Sequence, residues 1–131
     1  MEDREFLAAF EAGTLLEDQF QHRDHVRAAW LFLQGAPPAS ALARFSSTLR
    51  SFAARLGKPD RYHETITWAY LLLINERMER AGRGKNWPEF AEANADLLTW
   101  RETVLRGYYR EETLRSDLAR RVFLLPDRLQ T

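Results

Sequence analysis

The chain lacks cysteine and carries no excess of either charge, and each shortage narrows the chemistry that it can perform. Without cysteine the protein has no disulfide, no thiolate metal ligand and no cysteine nucleophile. Lysine plus arginine equals aspartate plus glutamate at 19 each, so the formal net charge is zero. Proteins that bind nucleic acid through its phosphates show a basic excess, and we therefore expect no nucleic-acid partner.

Long apolar runs are also missing. The longest, such as Ala69 to Ile74, are much shorter than the roughly 20 residues that span a bilayer. The N-terminal sequence MEDREFLAAF carries acidic residues where a signal peptide would carry a basic region. These patterns predict a cytoplasmic protein with no membrane partner. A length of 131 residues with a 45% hydrophobic fraction predicts one globular domain, residues 1–131.

Apolar residues recur at helical spacing along most of the chain. The clearest example repeats at intervals of three and four and is closed by Gly57; it comprises Leu42, Phe45, Leu49, Phe52 and Leu56. No alternating pattern long enough for a strand is present. The sequence therefore predicts an all-α fold, a single compact bundle of five to seven helices. The aromatic residues expected in its core include Trp30, Phe45, Phe52, Trp68 and Tyr70.

Capping residues predict where these helices begin and end. The first helix ends at Gly13, after which Thr14 and Glu17 match a capping box that opens a further turn. Asp24 is the predicted N-cap of a second helix that runs through Leu33. Further helical segments are predicted in the rest of the chain: a central helix capped by Asp60 from Arg61 to about Ala81, a short helix from Asn86 through Phe90, a segment Leu97 to Tyr108, and a last segment capped by Ser116 or Asp117.

The three histidines are the candidate functional residues. His22 and His25 lie three residues apart in FQHRDHVRAAW, and His63 precedes Glu64 in RYHETITWAY. Short connections make successive helices antiparallel, so the second and the central helix begin at the same end of the bundle. All three histidines are expected near that end.

Three interpretations of these histidines are open. They could form one metal site, with His22, His25, His63 and Glu64 as ligands of a divalent zinc, iron or copper ion. They could form a polar site without metal, or each could have a separate structural role. HETIT is not a zinc-protease motif, because Thr67 stands where HExxH has its second histidine.

Glu64 and Trp68 likewise have two interpretations each. Glu64 could be a metal ligand or a general base beside His63, which makes Glu64 and His63 the candidate catalytic residues. As a structural residue, Glu64 would be a favourable negative charge in the first turn of a helix. Trp68, one turn later, could form a wall of a pocket above the histidines or belong to the core.

Three stretches, FQHRDHVRAAWLFL, RYHETITWAYLLLI and the closing FLLPDR, resemble a group of small uncharacterised bacterial helical proteins. The likeness runs from about Phe20 to Arg128. It implies a stand-alone helical domain and no assigned reaction. The positions that match are His22, His25, His63, Glu64 and Thr67.

The leading hypothesis is a small metal-dependent enzyme or binding protein that acts on a small molecule at one end of the bundle. The alternative is a non-catalytic helical interaction module with structural histidines, which would bind a partner protein or a second copy of the chain. Self-association is compatible with both hypotheses, and the location of exposed apolar surface distinguishes them.

Overall fold

A computed structural model describes residues 1–128 and confirms the all-α class. These residues form seven α-helices and no β-strand. The helices, numbered in chain order, are α1 Asp3–Ala12, α2 His22–Gly35, α3 Pro38–Arg55, α4 Glu64–Ala81, α5 Trp87–Ala93, α6 Glu111–Arg115 and α7 Asp117–Arg121. Four 3₁₀ turns lie between them: Glu17–Gln19, Pro59–Arg61, Ala95–Leu98 and Val104–Gly107. No helix of the described residues is both long enough and apolar enough to cross a membrane.

The four longest helices enclose a core rich in phenylalanine. Phe10 of α1 is completely buried, and its ring lies 4.5 Å from that of Phe20 and 6.1 Å from that of Phe52. Rings at these distances and tilts add a favourable pair interaction to the roughly 1.5–3 kcal/mol that burial of one large apolar side chain contributes. Helix α2 packs against α1, α3 and α4, while α4 also contacts α7. The core therefore joins elements from both halves of the chain.

The predicted core residues are buried with one exception. Trp30, Phe45, Phe52 and Tyr70 are all at most 6% exposed. Trp68 is only half-buried: its ring stacks on that of Phe123 at 5.1 Å, and its indole nitrogen donates to Glu64. The expectation that Trp68 packs in the core or walls a pocket at the histidines is therefore wrong.

Gly13 and Gly57 end helices as predicted. Each has a positive φ, 77° and 74°, which a residue with a side chain rarely adopts. At Gly13 a side chain would also collide with the guanidinium of Arg55, which donates to the Gly13 carbonyl oxygen. The end of α1 is therefore joined to the end of α3 at this glycine.

Both helices that carry histidines begin at different residues from those predicted. Helix α2 begins at His22 rather than after Asp24, because the Asp24 carboxylate accepts from the backbone N–H of Gln21 at 2.9 Å. Helix α4 begins at Glu64 rather than Arg61, because Asp60 lies in the preceding 3₁₀ turn. Here the N-cap is His63, an uncommon capping residue.

Three other segments differ from their predictions. Thr14 and Glu17 form no capping box: the Gln19 side chain bonds the backbone N–H of Leu16 at 2.8 Å, and Thr14 bonds the carbonyl oxygen of Ala9. The segment from Leu97 to Tyr108 is not one helix as predicted. It contains the end of one 3₁₀ turn, a loop and a second 3₁₀ turn. Helix α7 begins after Ser116 as expected and stops at Arg121, and α6 was not predicted.

The segment after α7 is extended and is held by hydrogen bonds to a buried threonine of α4. The hydroxyl of Thr65, which is completely buried, donates to the carbonyl oxygen of Val122 at 2.8 Å and accepts from the backbone N–H of Leu124 at 3.1 Å. The Tyr109 hydroxyl donates to the carbonyl oxygen of Leu124 at 2.8 Å. Asp127 accepts from the backbone N–H of Arg110 at 2.9 Å, just before α6. The closing FLLPDR thus has a structural role.

We expect Thr65→Val to lower the free energy of unfolding by about 1–3 kcal/mol, because valine has the same shape but leaves two partly buried backbone groups of residues 122 and 124 without this partner. Chemical denaturation measures this change. Thr99→Val is the matched control, since Thr99 is exposed and its replacement should cost less than about 0.5 kcal/mol. Equal effects of the two substitutions would contradict the proposed role of Thr65.

Candidate functional site

All three histidines line one cavity at the end of the bundle where α2 and α4 begin. Its volume is about 320 Å³. Most of its wall is apolar and comes from the loop before α2, the second half of α3 and the first turn of α4; these residues include Phe20, Leu49, Phe52, Ala53, Leu56 and Ile66. Trp100 closes one side and is 47% exposed. The cavity is therefore an apolar pocket with three imidazoles in its wall.

His63 uses both ring nitrogens to hold the structure together. Its Nδ1 accepts from the backbone N–H of Ile66 at 3.1 Å, which caps α4. Its Nε2 lies 2.7 Å from the carbonyl oxygen of Leu114 in α6, and because a carbonyl only accepts, the proton must be on Nε2. Burial lowers the pKa of His63, and the nearby Arg120 adds to that effect. His63 is thus a neutral linker between α4 and α6.

His22 uses one ring nitrogen in the same way. Its Nε2 donates to the carbonyl oxygen of Leu97 at 2.9 Å, which leaves Nδ1 as an acceptor. The ring lies 4.9 Å from that of Tyr70 and 5.4 Å from that of Trp100. Burial lowers the pKa of His22, so the ring is neutral near pH 7.

His25 is the histidine whose ring has no hydrogen bond. Its ring stacks on that of Phe20 at 4.3 Å, and within residues 1–128 neither ring nitrogen has a polar partner. Burial, with a smaller contribution from His22, lowers the pKa of His25 to about 3. The residue is only partly buried, and its ring nitrogens are accessible rather than sealed in the interior. His25 therefore presents an unused donor and an unused acceptor at the cavity.

Glu64 does not line this cavity. One oxygen of its carboxylate accepts from the Tyr62 hydroxyl at 2.5 Å and from the indole nitrogen of Trp68 at 3.0 Å, and the other accepts from Arg50 at 3.1 Å. Glu64 follows the N-cap directly, and the helical rotation from His63 turns its side chain to another face of α4. The carboxylate therefore belongs to a hydrogen-bonded group on the outside of α4, where it is not placed to act as a base on a molecule in the cavity.

The predicted ligand set for a metal does not fit this arrangement. Over residues 1–128, no group of three or more histidine, aspartate or glutamate side chains could hold an ion. Both nitrogens of His63 are engaged, and the oxygens of Glu64 are bonded elsewhere. Only His25 and the Nδ1 of His22 then remain as metal ligands among these four residues. Catalytic zinc sites use three protein ligands. We therefore derive no step through a metal ion.

The sequence reasoning missed the aromatic residues that shape the cavity. Trp100 falls inside the segment predicted as one continuous helix, so nothing marked it as a loop residue beside His22. Phe20, which stacks on His25, lies two residues before His22 of the HxxH stretch, and its position was the available signal. The oxygens of Leu97 and Leu114 that hold two of the histidines are backbone atoms, which no side-chain motif can reveal.

No family model, curated protein or solved structure matches the chain. The resemblance to small bacterial helical proteins thus remains a prediction. What the molecule does has to be inferred from the cavity and its residues.

The free energy of unfolding should decrease as the pH is lowered, because the folded protein keeps His25 neutral. The pKa of His25 is about 3 when folded and about 6.5 when unfolded, so between these values the unfolded chain binds the extra proton. The stabilisation is complete above about pH 6.5 and is lost as the pH falls toward 3, at about 1.4 kcal/mol per pH unit. His25→Phe should remove that part of the slope, as measured by urea unfolding between about pH 7 and pH 4. A slope equal to that of the unaltered protein would contradict this assignment, and Tyr108→Phe should leave the slope unchanged.

Proposed function

We propose that this protein binds a small molecule in the histidine-lined cavity, and that His25 recognises a hydrogen-bonding group on it. The observation that carries the proposal is the combination of an apolar cavity of about 320 Å³ with a partly buried imidazole that has no polar partner within residues 1–128. Binding sites for small molecules are commonly apolar pockets with a few convergent polar groups. A ligand would supply the hydrogen bonds that His25 lacks.

The size and lining of the cavity define the kind of ligand. A volume of about 320 Å³ is at the lower end of the range typical of ligand pockets, roughly 300–1,000 Å³. A smaller hollow of about 40 Å³ adjoins it and shares His22, His25 and Thr67. Phe20 and Phe52 line the cavity and offer apolar contact to a ligand. The proposed ligand is a compact molecule with one ring system or a short alkyl chain.

The state of His25 favours recognition over proton transfer. A ring with a pKa of about 3 is neutral near pH 7 and is a weak base, so it is far from the value near working pH that suits a general base. As a neutral imidazole it offers one N–H and one acceptor nitrogen. The predicted catalytic pair, His63 and Glu64, has its polar atoms engaged in other bonds. A binding protein is therefore the form of the hypothesis that we retain, with a cytoplasmic location as part of the proposal.

A matched pair of probes tests the role of His25. Indole and indene have nearly the same shape, but only indole carries an N–H that can donate to His25. We expect indole to bind about tenfold more tightly than indene, which corresponds to one net hydrogen bond. Two-dimensional NMR titration gives both affinities, and the ring resonances of His22 and His25 should shift.

The His25→Phe variant supplies the control, because phenylalanine keeps the ring and its contact with Phe20 but removes both polar atoms. Indole should lose its advantage in this variant, while the affinity for indene should change by less than about twofold. Tyr108→Phe removes a hydroxyl outside the cavity and should leave both affinities unchanged. If neither probe shifts a cavity resonance in the unaltered protein, the proposed binding site is wrong.

The alternative function, a helical interaction module, has one observation in its favour. Four large apolar residues are at least 42% exposed on α4, α7 and the segment after α7: Leu72, Leu118, Val122 and Leu125. Leu72 also lines a shallow groove of about 210 Å³ with Phe123 and Pro126. Exposed apolar patches of sufficient area mark protein interfaces.

If this surface joins two copies of the chain, light scattering after size-exclusion chromatography should give a molecular mass near twice that of one chain. The double variant Leu72→Ser with Leu118→Ser should then be a monomer, since it replaces apolar contact area with hydroxyls. Leu16→Ser is the matched control, because Leu16 is 64% exposed in the loop before α2. A monomeric unaltered protein at every concentration would contradict self-association through this surface.

A further inference from the structure

A second cavity adjoins the histidine-lined one and has a different character. Its volume is about 240 Å³, and it is lined mainly by the loop before α6 and by α6 itself. Ile66 and Trp100 line both cavities, so these two side chains form the boundary between them. Any molecule that extends from the histidines past Trp100 would enter this second cavity.

The second cavity carries an excess of positive charge. Three arginines, Arg101, Arg106 and Arg115, and one glutamate, Glu111, line it. Glu111 is paired with Arg115 at 2.8 Å. Within residues 1–128, the guanidinium groups of Arg101 and Arg106 have neither an ion pair nor a hydrogen bond. In a chain with zero formal net charge, two unpaired guanidinium groups on one cavity are a local feature that the overall composition conceals.

The loop that carries these arginines is attached to the histidine-lined cavity. Thr103, which is buried, shares a short hydrogen bond with the hydroxyl of Tyr70, and its side chain accepts from the backbone N–H of Leu105 at 3.2 Å. The Tyr70 ring in turn lies 4.9 Å from that of His22. Arg101 and Arg106 therefore flank a fixed point of the wall, which keeps their backbones in place relative to the histidines.

The rim of the histidine-lined cavity has no free negative charge to oppose an anion. Its acidic residue, Glu17, accepts from Lys58 at 2.8 Å and from Arg61 at 3.0 Å, and these bonds lower the pKa of its carboxyl group. Arg61, which lines the cavity, and Lys58, which does not, thus offset this one carboxylate. The charge on both cavities favours a ligand that carries a negative group.

We propose that the ligand of this protein is an amphipathic anion that occupies both cavities. Its apolar body lies against Phe20 and carries the group that bonds His25, and its oxyanion, a carboxylate or a phosphate, is bound by Arg101 and Arg106 beyond Trp100. The planar guanidinium group donates pairs of N–H bonds that match both oxyanions. The proposal rests on the proposed function, because it assigns a chemical class to the ligand of that same site.

Three probes with the same phenylalkyl body test the proposal: 3-phenylpropan-1-ol, 3-phenylpropanoate and 2-phenylethyl phosphate. We expect at least one anion to bind about tenfold more tightly than the alcohol, as measured by NMR titration. The anion should shift the ring resonances of His25 together with the side-chain resonances of Arg101 and Arg106. Its advantage should shrink when the salt rises from about 50 mM to about 500 mM, because screening weakens partly exposed ion pairs. Which anion binds better identifies the group that the arginines recognise.

The double variant Arg101→Gln with Arg106→Gln should remove the advantage of the anions and change the affinity for the alcohol by less than about twofold. Arg4→Gln with Arg80→Gln removes the same charge from residues that line neither cavity and should preserve the preference. Equal binding of anion and alcohol at His25 would overturn this inference and leave the proposed function intact. Anion shifts at the arginines without shifts at His25 would also overturn it. No cavity shift with these three probes, or with indole and indene, would overturn both proposals.

Discussion

The hydrogen bonds of His63 determine how the end of the molecule that holds the histidine-lined cavity is arranged. One ring nitrogen caps α4 and the other bonds the backbone of α6. A single neutral imidazole therefore sets both the first residue of α4 and the position of α6. With the start of α4 fixed at Glu64, helical geometry places Thr65 in the interior and turns the Glu64 carboxylate toward Trp68. His63, one of the four predicted metal ligands, therefore has both ring nitrogens engaged in holding the fold.

Most of the fold could be predicted because it follows from local patterns. The spacing of Leu42, Phe45, Leu49 and Phe52 identifies α3, and Gly13 and Gly57 mark helix ends because only glycine readily adopts their positive φ. The starts of α2 and α4 could not be predicted from aspartate caps, since Asp24 serves as the third residue of its helix and a histidine caps the other. The two 3₁₀ turns around Trp100 were missed because their apolar residues have helical spacing without forming a continuous helix.

The candidate site was only partly predictable, for a related reason. Antiparallel connections between α2, α3 and α4 lead to a common end, and the three histidines do line one cavity there. What each ring does was not accessible to that argument. It depends on the carbonyl oxygens of Leu97 and Leu114, which are 75 and 51 residues away along the chain from their histidines. Spacing identifies which residues gather at one end of a bundle, whereas the hydrogen bonds of each ring decide which of them remains available.

Those same long-range bonds mean that the cavity belongs to no contiguous stretch of the chain. One wall comes from residues 17–67, while Trp100 and the backbone oxygens that orient His22 and His63 come from residues 97–114. A fragment that ended after α5 would retain all three histidines and most of the phenylalanine core, yet His22 and His63 would have lost their carbonyl partners. The cavity that His25 lines is thus formed by two distant parts of the chain together, and no short sequence motif represents it.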